Sequence, residues 1–171
     1  PLVFSDTVAY PFRIGFAKVF DIFYSRGLHS EITFIGSGKL GYPDTALAAF
    51  ALGCDMVNVG REAMMAIGCI QAQRCHTGHC PTGVATHSAW LSRGLNPSDK
   101  SVRVMNYIHA LQDEILRLCH SVGVTHPALI PESVVEIVNQ EGTAVSILNY
   151  YGLLSIDQRL QESDFHYLES I

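Results

Sequence analysis

Residues 12 to 60 read as helix, strand, helix, strand, and this alternation restricts the chain to folds built on parallel strands. Phe16, Val19, Phe20 and Phe23 fall at i, i+3, i+4 and i+7, which predicts one apolar face of a helix over residues 12 to 26. Gly27 follows where a left-handed cap would stop it. The run Ile32-Thr33-Phe34-Ile35 is short, apolar and β-branched, and predicts a buried parallel strand ending at Gly36-Ser37-Gly38. Pro43 suits a first helical position, Asp44 the positive end of the helix dipole, and Ala46 to Leu52 a helix that Gly53 closes. Met56-Val57-Asn58-Val59 repeats the strand pattern and ends at Gly60. Parallel strands joined through a helix belong to an α/β barrel or a doubly wound sheet, and two strands fit either.

Periodicity then disappears from about residue 69 to residue 98, where Cys, His, Gly, Pro and Thr collect in a loop longer than most connections. It returns over Ser98 to Ser121, with Val102, Met105, Ile108, Leu111, Ile115, Leu118 and Cys119 on one stripe. Two shorter helices are expected near Pro131 to Asn139 and Ala144 to Tyr151, ahead of a polar tail holding Gln161, Glu162 and Asp164. Hydrophobic residues make up 48% of the chain, enough for a packed core in one ordinary domain. A formal charge of -5 with Lys and Arg scattered singly argues against nucleic acid as a partner. No apolar stretch is long enough to span a bilayer and no secretion signal is legible, so a soluble, cytoplasmic protein is expected. Pro1 leads straight into a structured-looking segment, so the chain reads as a piece of a longer protein.

If the two strands are neighbours, Gly36-Ser37-Gly38-Lys39 and Gly60-Arg61 emerge side by side at the carboxyl end of the sheet, where α/β folds bind ligands. Glycine lets backbone N–H groups approach a phosphate closely, the helix starts that follow are electropositive, and Lys39 and Arg61 add full charges. A phosphomonoester is the ligand such a pair of turns suits. Taken singly, either glycine turn has a purely conformational explanation.

Five cysteines without a secretion signal point to metal, redox or core roles rather than disulfides. Cys69, Cys75 and Cys80 lie in GCIQAQRCHTGHCPTGVAT, spaced C-x5-C-x4-C. Three neighbouring thiolates are costly to bury unless a metal centre neutralises them, and three soft ligands suit an iron-sulfur cluster with one corner missing. Zinc is the competing centre, with His76 or His79 completing a Cys3His set. Cys54 and Cys119 sit in or beside apolar helical stretches and read as core residues. His76, His79 and His87 read as surface or supporting groups, and no general acid, base or nucleophile is assigned.

The turns at 36 to 39 and 58 to 61, with Asp44 and AAFALGCD at 48 to 55, resemble the FMN-phosphate end of flavin-binding (β/α)8 barrels. The cysteine segment is more specific, because it closely resembles the 3Fe-4S loop of glutamate synthases, including the stand-alone FMN-binding members. The similarity extends to PLVFSDTVAYP at the start and DKSVRVMNYIHAL downstream, and fades beyond about residue 130. Gly78 departs from the family's Asn, and Gly60 from the Ala of many stand-alone members; neither change removes a ligand.

The resemblance implies an α/β fold: the last two to three β/α units of a (β/α)8 barrel, with a cluster loop and a C-terminal helical extension. Residues 1–68 would be the barrel units, 69–97 the loop, 98–130 the final barrel helix and 131–171 the extension. FMN phosphate would rest on Gly36, Ser37, Gly38, Lys39, Gly60 and Arg61, and the cluster on Cys69, Cys75 and Cys80. The implied activity is FMN-dependent formation of L-glutamate from 2-oxoglutarate through 2-iminoglutarate. Nitrogen would come from glutamine or ammonia, and electrons from ferredoxin or an NAD(P)H-dependent partner by way of the cluster. Five or more barrel units would lie outside this chain, leaving it inactive alone. The other readings are a zinc-stabilised Cys3His domain and an FMN barrel acting on a different substrate.

Overall fold

A computed structural model describes residues 8–152, and within them helices and strands alternate as the first sixty residues foretell. Helix α1 spans Phe12–Tyr24. It stops through Gly27, whose φ of 68° lets the amides of Gly27 and Leu28 donate back to Tyr24 and Phe23. Its packed row is Phe12, Phe16, Phe20 and Tyr24, each ring stacked on the next at i+4. Phe34 meets Phe16, Phe20 and Phe23. Val19 departs from the anticipated face and is exposed, because the i, i+4 row of rings, not the i+3 position, meets the sheet.

Strand β1 is Ile35–Ser37, three residues later than the hydrophobic run suggests. Ile32 and Thr33 instead leave a 3-10 turn at His29–Glu31, and Ile32 is exposed. Helix α2, Pro43–Ala51, carries Pro at its start and Asp44 in its first turn, as anticipated. Strand β2 is Met56–Asn58 and pairs parallel with β1, with Ile35 opposite Met56, Gly36 opposite Val57 and Ser37 opposite Asn58. The parallel pair is thus present, but it is not buried on both faces. Gly36 and Val57 face the helices, while Ile35 and Met56, partners on the opposite face, are 60% and 49% exposed.

Helix α3 is short, Arg61–Ala66, and α4 is the longest element, Pro97–Ser121. Asn96 caps α4 by accepting the Ser98 amide at 3.1 Å. The alanines of α2 form a small-residue surface that lets Leu111, Ile115 and Cys119 of α4 approach closely, and Leu52, Ile130, Ile147 and Leu148 complete this core. Val102 and Met105, placed on the same stripe by periodicity, are exposed, since only the middle and end of α4 reach the core. On the other side of α2, Ala49 joins Leu40 and Cys54 against Phe12, Phe16 and Val57. Cys54 and Cys119 are core residues, as their apolar surroundings indicate, and burial pushes the Cys119 thiol up.

The helix expected near Pro131 to Asn139 is not there. A 3-10 turn at Glu132–Val134 leads into β3, Glu136–Val138, which pairs antiparallel with β4, Ala144–Ser146, before helix α5, Ile147–Tyr151. Consecutive β-branched residues favour strand here. Asn139 fixes the hairpin by accepting the amides of Glu141 and Thr143, with Gly142 at φ 78°. The described part of the expected helical extension is therefore a hairpin and one short helix. Gln161, Glu162 and Asp164 lie outside the described residues, as do residues 1–7. Among the described residues no helix is long and apolar enough to cross a membrane.

Candidate functional site

The register of β1 and β2 sets the site. Because Ser37 lies opposite Asn58, the chain after Ser37 and the chain after Asn58 leave the sheet at the same end. Ser37, Gly38, Lys39 and Gly60 are exposed there, and Arg61 is half-buried. Lys39 holds a left-handed backbone, φ 60°, which costs a residue with a Cβ about 1–2 kcal/mol. The glycines differ in what they are for. A Cβ on Gly36 would stand 2.7 Å from Cys54 Sγ, and one on Gly38 would stand 2.8 Å from Phe12 Cβ, so both are needed to pack the turn against α1 and the core. Gly60 has open space at its Cβ position and an ordinary φ of -107°, so alanine is accommodated there.

Helix α3 alone separates this turn from the cysteine segment. It ends with Gly68 at φ 106°, whose amide donates to Met65 O while Cys69 N donates to Met64 O. Cys69 is half-buried, and its sulfur accepts the Gln71 amide at 3.4 Å. Gln71 and Gln73 both hold φ 56°; with Lys39 they are the non-glycine residues at positive φ among the described residues. Cys75 is exposed on a 3-10 turn, Cys75–Thr77, which closes at Gly78 with φ 72° and nothing near its Cβ position. Asn accepts that conformation well, so the position does not demand glycine.

Cys80 is the best-held thiol. It is buried, and its pKa is lowered to about 7, first by the Thr82 hydroxyl and then by the backbone amides of Ala85, Thr82 and Val84, with burial opposing them. Hydrogen bonds to the charged form favour the thiolate over the ordinary thiol. Gly83 makes that cradle possible. Its φ is 78°, and a Cβ there would collide with the backbone carbonyl of Leu91, while one on Gly94 would stand 2.9 Å from Thr82 O. The two limbs of the segment cross at these glycines. Thr86 Oγ1 ties the crossing back to Gly78 O at 2.5 Å.

The sulfur surroundings of Cys69 and Cys80 suit thiolate ligands of a soft metal centre. Among the described residues, however, no three His, Cys, Asp or Glu side chains gather closely enough to hold a metal ion, so neither the three-thiol set nor a Cys3His set is preassembled. His76, His79 and His87 are exposed, and His79 Nδ1 lies 2.8 Å from Thr77 O.

Sequence pattern does not single out Glu62 or Tyr107. Tyr107 of α4 donates from its hydroxyl to Gly41 O at 2.8 Å, tying the longest helix to the β1–α2 turn. Burial and, second, the nearby Glu62 carboxylate push its pKa up. Glu62 is 5% exposed, and its Oε2 has no hydrogen-bond partner among the described residues. In sequence it looks like an ordinary acid in a helix's first turn; its burial arises from the approach of Gly41 and α4, which no local pattern carries.

Residues 1–125 match the family model described as the conserved region in glutamate synthase. The chain is 35% identical over 145 residues to the glutamate synthase large subunit-like protein YerD of Bacillus subtilis, covering 85% of this chain and 28% of that one. It is 38% identical over 124 residues to the archaeal glutamate synthase [NADPH] of Methanocaldococcus jannaschii, covering 72% and 24%. The ferredoxin-dependent glutamate synthase of Pyropia yezoensis is 27% identical over 113 residues, 66% of this chain and 7% of that one. The chain thus spans about a quarter of the length of the first two relatives.

Proposed function

The chain belongs to the glutamate synthase family, and from that premise we propose that residues 1–68 are the last units of an FMN-binding (β/α)8 barrel and residues 69–97 its 3Fe-4S loop. The complete protein, in this reading, forms L-glutamate from 2-oxoglutarate and ammonia or glutamine nitrogen through 2-iminoglutarate. Its reducing equivalents come from ferredoxin or an NAD(P)H-dependent partner; relatives of both names occur among those similar to this chain.

The observation that supports this reading most is the parallel register. It sends Lys39 and Arg61 out at one end of the sheet, and α3 is the only element between Arg61 and Cys69. Two cations beside exposed backbone suit a phosphomonoester. The open face of the sheet, with Ile35 and Met56 at its base and Ser37 and Asn58 at its mouth, suits the interior of a larger barrel: an apolar plug beneath a polar rim.

When bound, the flavin supplies hydride transfer and the cluster supplies single-electron steps. The chain's own residues anchor and insulate them. Lys39 and Arg61 hold the phosphate; Cys69, Cys75 and Cys80 are the thiolate ligands. Thr82 and the amides of residues 82, 84 and 85 stabilise the negative charge on Cys80. Cys75, on its exposed turn, is the most accessible of the three.

Full-length protein, supplied anaerobically with 2-oxoglutarate, ammonium or glutamine, and reduced ferredoxin or NADPH, is expected to release glutamate. A flavin- and iron-loaded protein that makes no glutamate yet reduces another imine or carbonyl compound would place it among FMN barrels of different substrate. A colourless, zinc-containing protein without flavin would replace the reading with that of a structural Cys3His domain.

A further inference from the structure

The two turns that leave the sheet touch each other through Gly41 and Glu62. A Cβ on Gly41 would stand 2.5 Å from Glu62 Cγ and 2.6 Å from its Oε2, so the backbone two residues after Lys39 lies directly on the side chain next to Arg61. Gly41 is not among the residues at positive φ, and glycine is required there by space, not by backbone conformation. Tyr107 of α4 holds the same residue by donating from its hydroxyl to Gly41 O at 2.8 Å, across 66 positions of sequence. Gly41 is buried, so its carbonyl depends on such a donor.

The contact carries a cost that packing alone does not require. The Glu62 carboxylate is 5% exposed with no partner for Oε2 among the described residues, which is unfavourable for a buried polar atom. It has one evident effect on its neighbour: burial and, second, this carboxylate push the Tyr107 pKa up, so the hydroxyl keeps its proton and remains a donor to Gly41 O. Glu62 and Tyr107 thus act on a single residue of the β1–α2 turn, one as a wedge and the other as a tie.

The sheet brings the two turns to one end but does not set the gap between them. Paired residues stop at Ser37 and Asn58, two and three positions short of Lys39 and Arg61. The contact of Gly41 with Glu62 lies just beyond the cations, on the far side of each turn. Charge-assisted hydrogen bonds are short and weaken steeply with distance, so an anion shared by two cations is sensitive to their separation. Resting on the phosphate reading above, we propose that Tyr107 is a positioning residue for that site: by holding Gly41 against Glu62 it sets the separation of the turns bearing Lys39 and Arg61, and with it the affinity for a phosphomonoester. A tyrosine that only joined α4 to the core would affect stability and leave phosphate recognition unchanged.

The test is a double-mutant cycle in the full-length protein, with FMN affinity followed by flavin fluorescence and thermal unfolding of each apoprotein as the control. Tyr107→Phe, which keeps the ring, is expected to weaken FMN binding about 3–10-fold in the wild-type background and by less than about twofold in the Arg61→Ala background, because only a two-cation site is sensitive to the gap. Gly41→Ala, which leaves the hydroxyl in place but forces the turns apart, should show the same coupling, and it decides the matter if Tyr107→Phe does not fold. Equal losses in both backgrounds would show that the hydroxyl acts through the fold as a whole and would overturn the proposal. Wild-type affinity in folded Tyr107→Phe, with Arg61→Ala weakened, overturns it while leaving the phosphate reading intact. Wild-type affinity in both Arg61→Ala and Lys39→Gly overturns the phosphate reading and the proposal with it.

Discussion

Gly83→Ala is expected to cost roughly 2–5 kcal/mol and to strip iron from the full-length protein. Two effects combine at this position. An alanine must adopt the left-handed backbone of φ 78°, costing about 1–2 kcal/mol, and its methyl group must displace the Leu91 carbonyl, an overpacking of about 1–3 kcal/mol. Leu91 is backbone at the crossing of two loop limbs, so the strain cannot be relieved by rotating a side chain. It passes instead to Val84 and Ala85, whose amides stabilise the Cys80 thiolate. Gly78→Asn is the matched control: it too places a side chain at positive φ, but in open space and with a residue that tolerates it, so stability and iron content should be close to wild type. Thermal unfolding and iron per chain distinguish the two. Gly83→Ala behaving like Gly78→Asn would show that the crossing does not hold the site together.

The second large effect is expected at the sheet end. Arg61→Ala and Lys39→Gly should each weaken FMN binding by about 10–100-fold, taking about 1.5–3 kcal/mol per charge-assisted hydrogen bond and 1.4 kcal/mol per tenfold. Lys39→Gly is chosen because glycine accepts φ 60° without a Cβ, so removing the cation does not add backbone strain. Flavin affinity, followed by fluorescence recovery as FMN is released from dilute full-length protein, should fall while the unfolding temperature of the apoprotein holds. Wild-type affinity in both variants would mean that the phosphate sits elsewhere and that these turns serve packing alone. Gly36 and Gly38 already have packing reasons of that kind, through Cys54 and Phe12, so the cations are the more direct probes.

These sites were legible in the sequence to different depths. Punctuation carried well: Gly27, Pro43 and Gly53 mark real boundaries, because each acts through backbone conformation that neighbours cannot change. Periodicity carried less. Val19, Val102 and Met105 lie on plausible apolar faces yet remain exposed, since which part of a face is covered depends on partners remote in sequence. The helix anticipated at residues 131 to 139 failed for a local reason, as β-branched residues followed by an Asn-x-x-Gly turn are a hairpin signal that the apolar spacing obscured. The cysteines declared themselves by spacing, whereas Tyr107 on Gly41 and the buried Glu62 did not. Those depend on α4 returning across the sheet end, a tertiary approach with no trace in a short window.

The central claim is that Cys69, Cys75 and Cys80 are ligands of one iron-sulfur centre in the complete protein. It is tested most directly by iron and acid-labile sulfide analysis of full-length protein prepared without oxygen, alongside single Cys→Ala variants at these positions and at Cys54. The account predicts about three iron and four sulfide per wild-type chain, loss of both in the three loop variants, and retention in Cys54→Ala. Iron-free wild-type protein, or full iron content after any one of the three loop substitutions, would contradict it.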